Sequence, residues 1–322
     1  MHAEKALTLF GYPLASRIGI AACPLTATSD GIRMLAESGF DVLTYKTIRS
    51  VAAPIKSSHI YYVDVENQLT CDDVGGCFTA IDHAPTEQNR AITNCYGIGS
   101  QDAEDAIADI KKARTSISEG KVLIVSIYGS GMSIKEQIDD FVRTAQIAAA
   151  GGAQIIEANL SCPNLGSAEP VYKNATLVFA LCDAIKKAIM EIPLIIKVGI
   201  FDSYEQMDAV IAAAYQGGAR GICGINTIPV RVVNSDGEPV YGADRMVSGL
   251  SGTPIHALAL EFTRNARTII DAHGFDMVLC ATGGVMNPHD FDALLAAGAD
   301  IALCATGAIL NPALAFEYKT AH

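Results

Sequence analysis

Short apolar runs alternate along this chain with longer stretches in which apolar residues recur every three or four positions. The short runs predict strands at 41–46, 122–128, 154–159, 194–198, 221–226, 277–281 and 301–304, with an eighth at 18–23. The longer stretches predict helices over 103–117, 134–150, 175–190, 204–216 and 255–272. Most of the strand segments are apolar at odd and even positions alike, which suits a parallel sheet covered on both faces. The polar punctuation agrees. Ser133 or a neighbour opens the helix that runs to Gly151, Ser203 opens the next, and Asn287-Pro288 reads as an N-cap followed by the first helical position. Eight such units predict an α/β fold, a (β/α)8 TIM barrel with a small inserted or lid segment. Residues 1–322 are expected to form one domain, with an extended loop insertion around 57–93.

The same units could build an open, doubly wound sheet, and the glycines argue against it. Neither GxGxxG after a first strand nor GxxxxGK[ST] occurs. Glycines instead follow the two last strands, in Thr282-Gly283-Gly284 and Ala305-Thr306-Gly307. Such turns can be plain βα connections. Two in succession, after the last strands of a barrel, favour a phosphate site built from backbone N–H groups. Gly249-Leu250-Ser251-Gly252 can add a third set of amides.

Composition narrows the partners. A net charge of −12 repels nucleic acid, and no lysine or arginine cluster provides a local exception. No run approaches the roughly 18 apolar residues of a membrane span, and the first residues lack the pattern of a signal peptide. A cytoplasmic protein is the expectation. The nine cysteines are odd in number and show no CxxC or zinc spacing, so reduced thiols are expected and no metal.

The candidate chemistry lies where the run 154–159 ends, in Asn159-Leu160-Ser161-Cys162-Pro163-Asn164. Pro163 cannot continue a central strand, so Cys162 belongs to the strand end or the loop after it. A lone cysteine reads more readily as a small core hydrophobe. Between two amides, which donate and accept hydrogen bonds at once, a thiolate is suited to taking a proton from a flat polar molecule. Lys197, after Leu194-Ile195-Ile196, needs either a carboxylate partner or an anionic ligand, because a buried unpaired ammonium is costly.

Together with Thr44-Tyr45-Lys46-Thr47, Asn94-Cys95-Tyr96-Gly97 and Ile225-Asn226-Thr227, these segments resemble the dihydroorotate dehydrogenases over most of the chain. That family consists of FMN-containing (β/α)8 barrels that oxidise dihydroorotate to orotate in pyrimidine biosynthesis. The resemblance implies that Asn94, Asn159, Asn164 and Asn226 hold the pyrimidine ring. Thr227, Gly97 and Ile98 lie beside it, and Lys46 lies near the substrate carboxylate. It implies that Ala21, Ala22, Lys46, Thr47, Asn159, Lys197, Gly252, Gly283, Gly284, Ala305 and Thr306 hold FMN. Cys162 is similar to the general base of the soluble branch, where membrane-associated members carry serine. It would remove a proton from C5 while a hydride leaves C6 for flavin N5, and Lys197 would stabilise charge near N1. The branch also implies a homodimer and fumarate or another small oxidant as acceptor.

Three features depart from the family pattern, the first being the loop Leu165-Gly166-Ser167-Ala168-Glu169-Pro170 after Asn164, which matches neither common pattern of the cysteine branch. Tyr96 stands where methionine is common, and the stretch 57–90, with Cys71, Gly75-Gly76, Cys77 and His83, is long and unfamiliar. Two other functions fit the same residues: an FMN oxidoreductase of another dihydropyrimidine or cyclic amide, and a barrel that binds phosphate ligands without redox chemistry.

Overall fold

The computed structural model describes residues 7–83, 90–161 and 170–322. Eight parallel strands close a barrel in chain order: β1 (Ile18–Ile20), β2 (Val42–Ile48), β3 (Val122–Ile127), β4 (Ile155–Asn159), β5 (Leu194–Lys197), β6 (Gly221–Gly224), β7 (Val278–Thr282) and β8 (Ile301–Cys304). Each pairs with the next, and β8 returns to β1 through Ala302 opposite Ile18. All eight expected strands are present. Two end early, at Ile20 and Gly224, because the chain there turns from the ladder to line the barrel mouth. Ile225 N still donates to Thr282 O at 2.7 Å and Asn226 N to Val198 O at 2.9 Å, so residues 225 and 226 stay tied to the rim.

Helices wrap the outside: α1 (Ser29–Glu37), α2 (Ala103–Ser116), α3 (Ile134–Ala150), α4 (Ala175–Ile189), α5 (Tyr204–Gln216), α6 (His256–His273), α7 (Pro288–Ala296), α8 (Thr306–Leu310) and α9 (Leu314–Ala321). Their starts are held as the polar pattern predicts. Ser133 accepts from Glu136 N at 3.2 Å, Ser203 accepts from Gln206 N at 3.1 Å, and Asn287 accepts from His289 N at 3.0 Å. Among the described residues no helix is long and apolar enough to cross a membrane.

The pleat divides the apolar residues into two cores. Ile156, Ala158, Leu194 and Ile196 face outward toward the helices, whereas Val42, Ile124, Ile155, Ile195, Cys223 and Cys280 fill the barrel. A short hairpin, Thr8–Leu9 with Tyr12–Pro13, packs Leu9 and Phe10 onto the inner core. The fully buried Asp41 is neutralised by Lys121 at 2.6 Å and Lys319 at 2.7 Å, so α9 is fastened to the start of β2.

The segment read from sequence as an extended loop insertion at 57–93 supplies strands instead. Ile60–Val63, Cys77–Ile81 and Ala91–Asn94 join Ile228–Val233 and Ser248–Gly252 in a second closed sheet of five strands. All its pairings are antiparallel except that of Cys77–Ile81 with Ile228–Val233. It joins the barrel at the carboxyl end of β6, from which Ile228–Val233 continues after residues 225–227.

Candidate active site

A cleft lies between the carboxyl ends of the barrel strands and the five-stranded sheet. Barrels of this kind present their chemistry at that face. Lys46, Thr47, Asn159, Lys197, Asn226, Thr227, Gly283, Gly284, Ala305 and Thr306 line it from the barrel, with Ala21 and Ala22 beside β1. Asn94 and Gly97 line it from the other side.

The geometry of β2 explains how adjacent residues can both face the cleft. Pairing with β3 shifts register between Tyr45 and Ile48, so strict alternation fails there. Tyr45 points outward and donates to Asp109 of α2 at 2.6 Å, whereas Lys46 and Thr47 both reach the cleft. Lys46 Nζ lies 5.5 Å from the centre of the Tyr96 ring, a cation–π contact that ties the barrel to the loop after Ala91–Asn94.

The amides form a chain rather than separate contacts. Thr47 Oγ1 lies 3.0 Å from Ser126 Oγ and accepts from Asn159 Nδ2 at 3.5 Å. Asn159 Oδ1 accepts from Ser161 Oγ at 2.7 Å and from Asn226 Nδ2 at 3.4 Å. Asn226 Nδ2 also donates to Ser161 Oγ, and Asn226 Oδ1 accepts from Thr227 N at 2.9 Å. These bonds orient Asn159 and Asn226 before any ligand arrives, and the longer ones are weak enough to be exchanged for ligand contacts.

Lys197, only 4% exposed, closes the floor of the cleft. Burial works most strongly to lower its pKa, and the Glu157 carboxyl, with Oε1 at 4.0 Å, acts against that together with Cys223, Cys23 and Cys280, so the net direction is upward. Two thiols, Cys23 and Cys304, also line the cleft, and burial pushes both upward. Neither is a ready base near neutral pH.

The two late glycine turns lie where the barrel pattern places an anion site. Gly283 has φ 137° and Gly284 φ 69°. His256 Nδ1–H donates to the Gly283 carbonyl at 3.0 Å, holding the turn against α6. Thr306 Oγ1 donates to Ser251 Oγ at 2.9 Å, joining the second turn to the strand Ser248–Gly252. Gly284→Ala is expected to destabilise the protein by at least the 1–2 kcal/mol or so of a left-handed non-glycine residue. The added Cβ would also lie 2.6 Å from His256 Cβ. A thermal melt would register this as a lower Tm, and an unchanged Tm would show that the turn relaxes away from α6.

Two expected contributors are placed elsewhere. Ile98 is not among the lining residues, because Gly97, with φ 71°, turns the chain away from the cleft. Gly252 ends its strand against the Arg90 carbonyl, where a Cβ would come within 1.9 Å, and Ser251 rather than Gly252 faces the cleft. Cys162 and Asn164 lie outside the described residues. Sequence reading gave no side-chain role to Ser161 or Ser251 and passed over Ser126 and Glu157. Glu157 left a signal, as the one charge in an apolar run two positions from Asn159.

Comparison with known proteins gives one family. A family model described as dihydroorotate dehydrogenase matches residues 84–317. A dihydroorotate dehydrogenase of Dictyostelium discoideum is 37% identical over 306 residues, 92% of this chain and 82% of that protein. The NAD-dependent dihydropyrimidine dehydrogenase subunit PreA of Escherichia coli K12 is 30% identical over 227 residues, 67% of this chain and 52% of that protein. A dihydroorotate dehydrogenase (quinone) of Arthrobacter sp. FB24 is 26% identical over 303 residues, 90% of this chain and 76% of that protein.

Proposed function

This chain belongs to the dihydroorotate dehydrogenase family, and from that premise we propose that it oxidises dihydroorotate to orotate with FMN as the bound oxidant. One observation carries the reading: three asparagines, Asn94, Asn159 and Asn226, meet two lysines, Lys46 and Lys197, in a cleft that also takes in both glycine turns. Amides satisfy the alternating donors and acceptors of a pyrimidine ring, and a lysine beside them suits a ring that carries a carboxylate.

The same cleft fits FMN. The backbone at Gly283, Gly284, Ala305 and Thr306 suits a phosphate, the small side chains of Ala21 and Ala22 leave room for a ring, and Lys197 supplies a buried positive charge. FMN bound there supplies the acceptor for the hydride from C6. The protein supplies the rest. The Cys162 thiolate takes the C5 proton, so the substrate loses one proton and one hydride and becomes orotate. Asn94, Asn159, Asn164 and Asn226, with Thr227, hold the ring, and Lys46 meets the carboxylate. Lys197, buried in the floor of the cleft, would offset negative charge on the reduced flavin. Fumarate or another small oxidant then removes the electrons. The quinone named for the Arthrobacter relative makes fumarate against quinone the assay to run. A homodimer in the cytoplasm completes the reading.

A second substrate class has a specific basis, the likeness to a dihydropyrimidine dehydrogenase subunit. Lys46, which lines the cleft beside the amides, suits the carboxylate-bearing substrate. An anaerobic absorption spectrum separates the readings. A yellow flavin band bleached by dihydroorotate supports ours, bleaching by dihydrouracil alone moves the substrate, and a colourless protein overturns the redox chemistry.

Asn159→Ala is expected to weaken orotate binding by about 1–3 kcal/mol, roughly fivefold to 160-fold, because it removes a buried partner of the ring. It also unties Ser161 and Asn226. Spectral titration with orotate checks this, and an unchanged affinity would exclude Asn159 from the pocket.

A further inference from the structure

Glu157 is the middle residue of β4, and its neighbours Ile156 and Ala158 belong to the outer core while Ile155 belongs to the inner one. The pleat therefore sends Glu157 into the barrel, one layer below Asn159. It is 1% exposed, and its Oε1 has no hydrogen-bond partner. Lys197 Nζ, on the adjacent strand, is 4.0 Å away, too far for a hydrogen bond.

A buried ion pair is a weak source of stability even with good hydrogen bonds, and this one lacks them at that distance. What the distance does provide is charge compensation that leaves the ammonium N–H groups uncommitted to the carboxylate. The other groups acting on Lys197 are thiols: Cys223 from β6, Cys280 from β7 and Cys23 after β1. Burial pushes all three upward, so they stay neutral over the working range. Glu157 is the largest of the groups that oppose the tendency of burial to strip the proton from Lys197.

We propose that Glu157 is a positioning residue acting through Lys197: it is the buried counter-charge that keeps the ammonium protonated while leaving its N–H groups for the ligand in the cleft. The inference rests on the FMN reading above. It makes the electrostatics of the flavin site depend on a residue that does not line the cleft.

The test measures FMN affinity, by fluorescence quenching, and flavin midpoint potential across pH in wild type, Glu157→Gln, Glu157→Asp, Lys197→Met and the Glu157→Gln/Lys197→Met double variant. An ordinary lysine titrates near 10.4, roughly, and Glu157 holds Lys197 charged, so wild type is expected to show no lysine-linked break through mildly alkaline pH. In Glu157→Gln the largest group opposing burial is gone. A break is expected at least one pH unit lower, a tenfold or greater loss of proton affinity. Glu157→Asp should restore it in part, and the double variant should match Lys197→Met, which has no lysine to titrate.

A Glu157→Gln break at the wild-type position overturns the inference, as does a double variant that differs from Lys197→Met. The latter comparison stands even where Glu157→Gln alone fails to fold. Wild-type protein that binds no FMN would overturn the function proposed above. Bound FMN with an unmoved break would overturn only the role of Glu157.

Discussion

Cys162→Ala is expected to slow reduction of the bound flavin by dihydroorotate by about two to four orders of magnitude, the usual contribution of a positioned general base. Orotate affinity should change far less, because the ring is held by the asparagines and Lys46. Cys162→Ser should resemble alanine more than wild type, since a hydroxyl is a much poorer base than a thiolate near neutral pH. The pH profile supplies a second signature. Wild-type reduction should rise with pH, because the thiolate rather than the thiol is the base, and both variants should lose that limb. Neither of the cleft thiols Cys23 and Cys304 is ready to replace it, because burial pushes both upward. Stopped-flow reduction and orotate titration read the two effects separately. Equal losses of rate and binding would remove Cys162 from the role of base.

What the sequence made legible follows from how local each feature is. The eight barrel strands are short, apolar on both faces and bounded by glycines or caps, so each announces itself within a few residues. The glycine turns after β7 and β8 and the amides at Asn159 and Asn226 are legible for the same reason. The five-stranded sheet was not. Its strands Ile60–Val63 and Cys77–Ile81 are half exposed, and the sheet closes only through pairings distant in sequence, Cys77 opposite Arg231 and Thr93 opposite Leu250. Nothing local marks such a pairing. The double display of Lys46 and Thr47 was also hidden, because it depends on a register shift against β3. Ile98 shows the converse, a residue adjacent in sequence to the cleft that a left-handed glycine carries past it.

Lys197→Met is expected to have two separable consequences, and separating them says what the lysine is for. Loss of a buried cation that meets developing charge should slow flavin reduction by about a hundredfold to a thousandfold, the range seen when one such electrostatic donor is removed. The same substitution leaves Glu157 buried beside an apolar side chain, with Oε1 already lacking a hydrogen bond. Removing one member of a buried ion pair costs on the order of 3–5 kcal/mol, so a clear fall in denaturant midpoint should accompany the slower rate. Adding Glu157→Gln to Lys197→Met removes the orphaned charge. Stability should then recover in part while flavin reduction stays as slow as in Lys197→Met. Denaturant unfolding and stopped-flow reduction of the single and double variants complete the cycle. Recovery of rate together with stability would mean that Lys197 serves the barrel's packing and that the loss of activity follows from a damaged fold. Recovery of stability alone would assign its charge to the reaction.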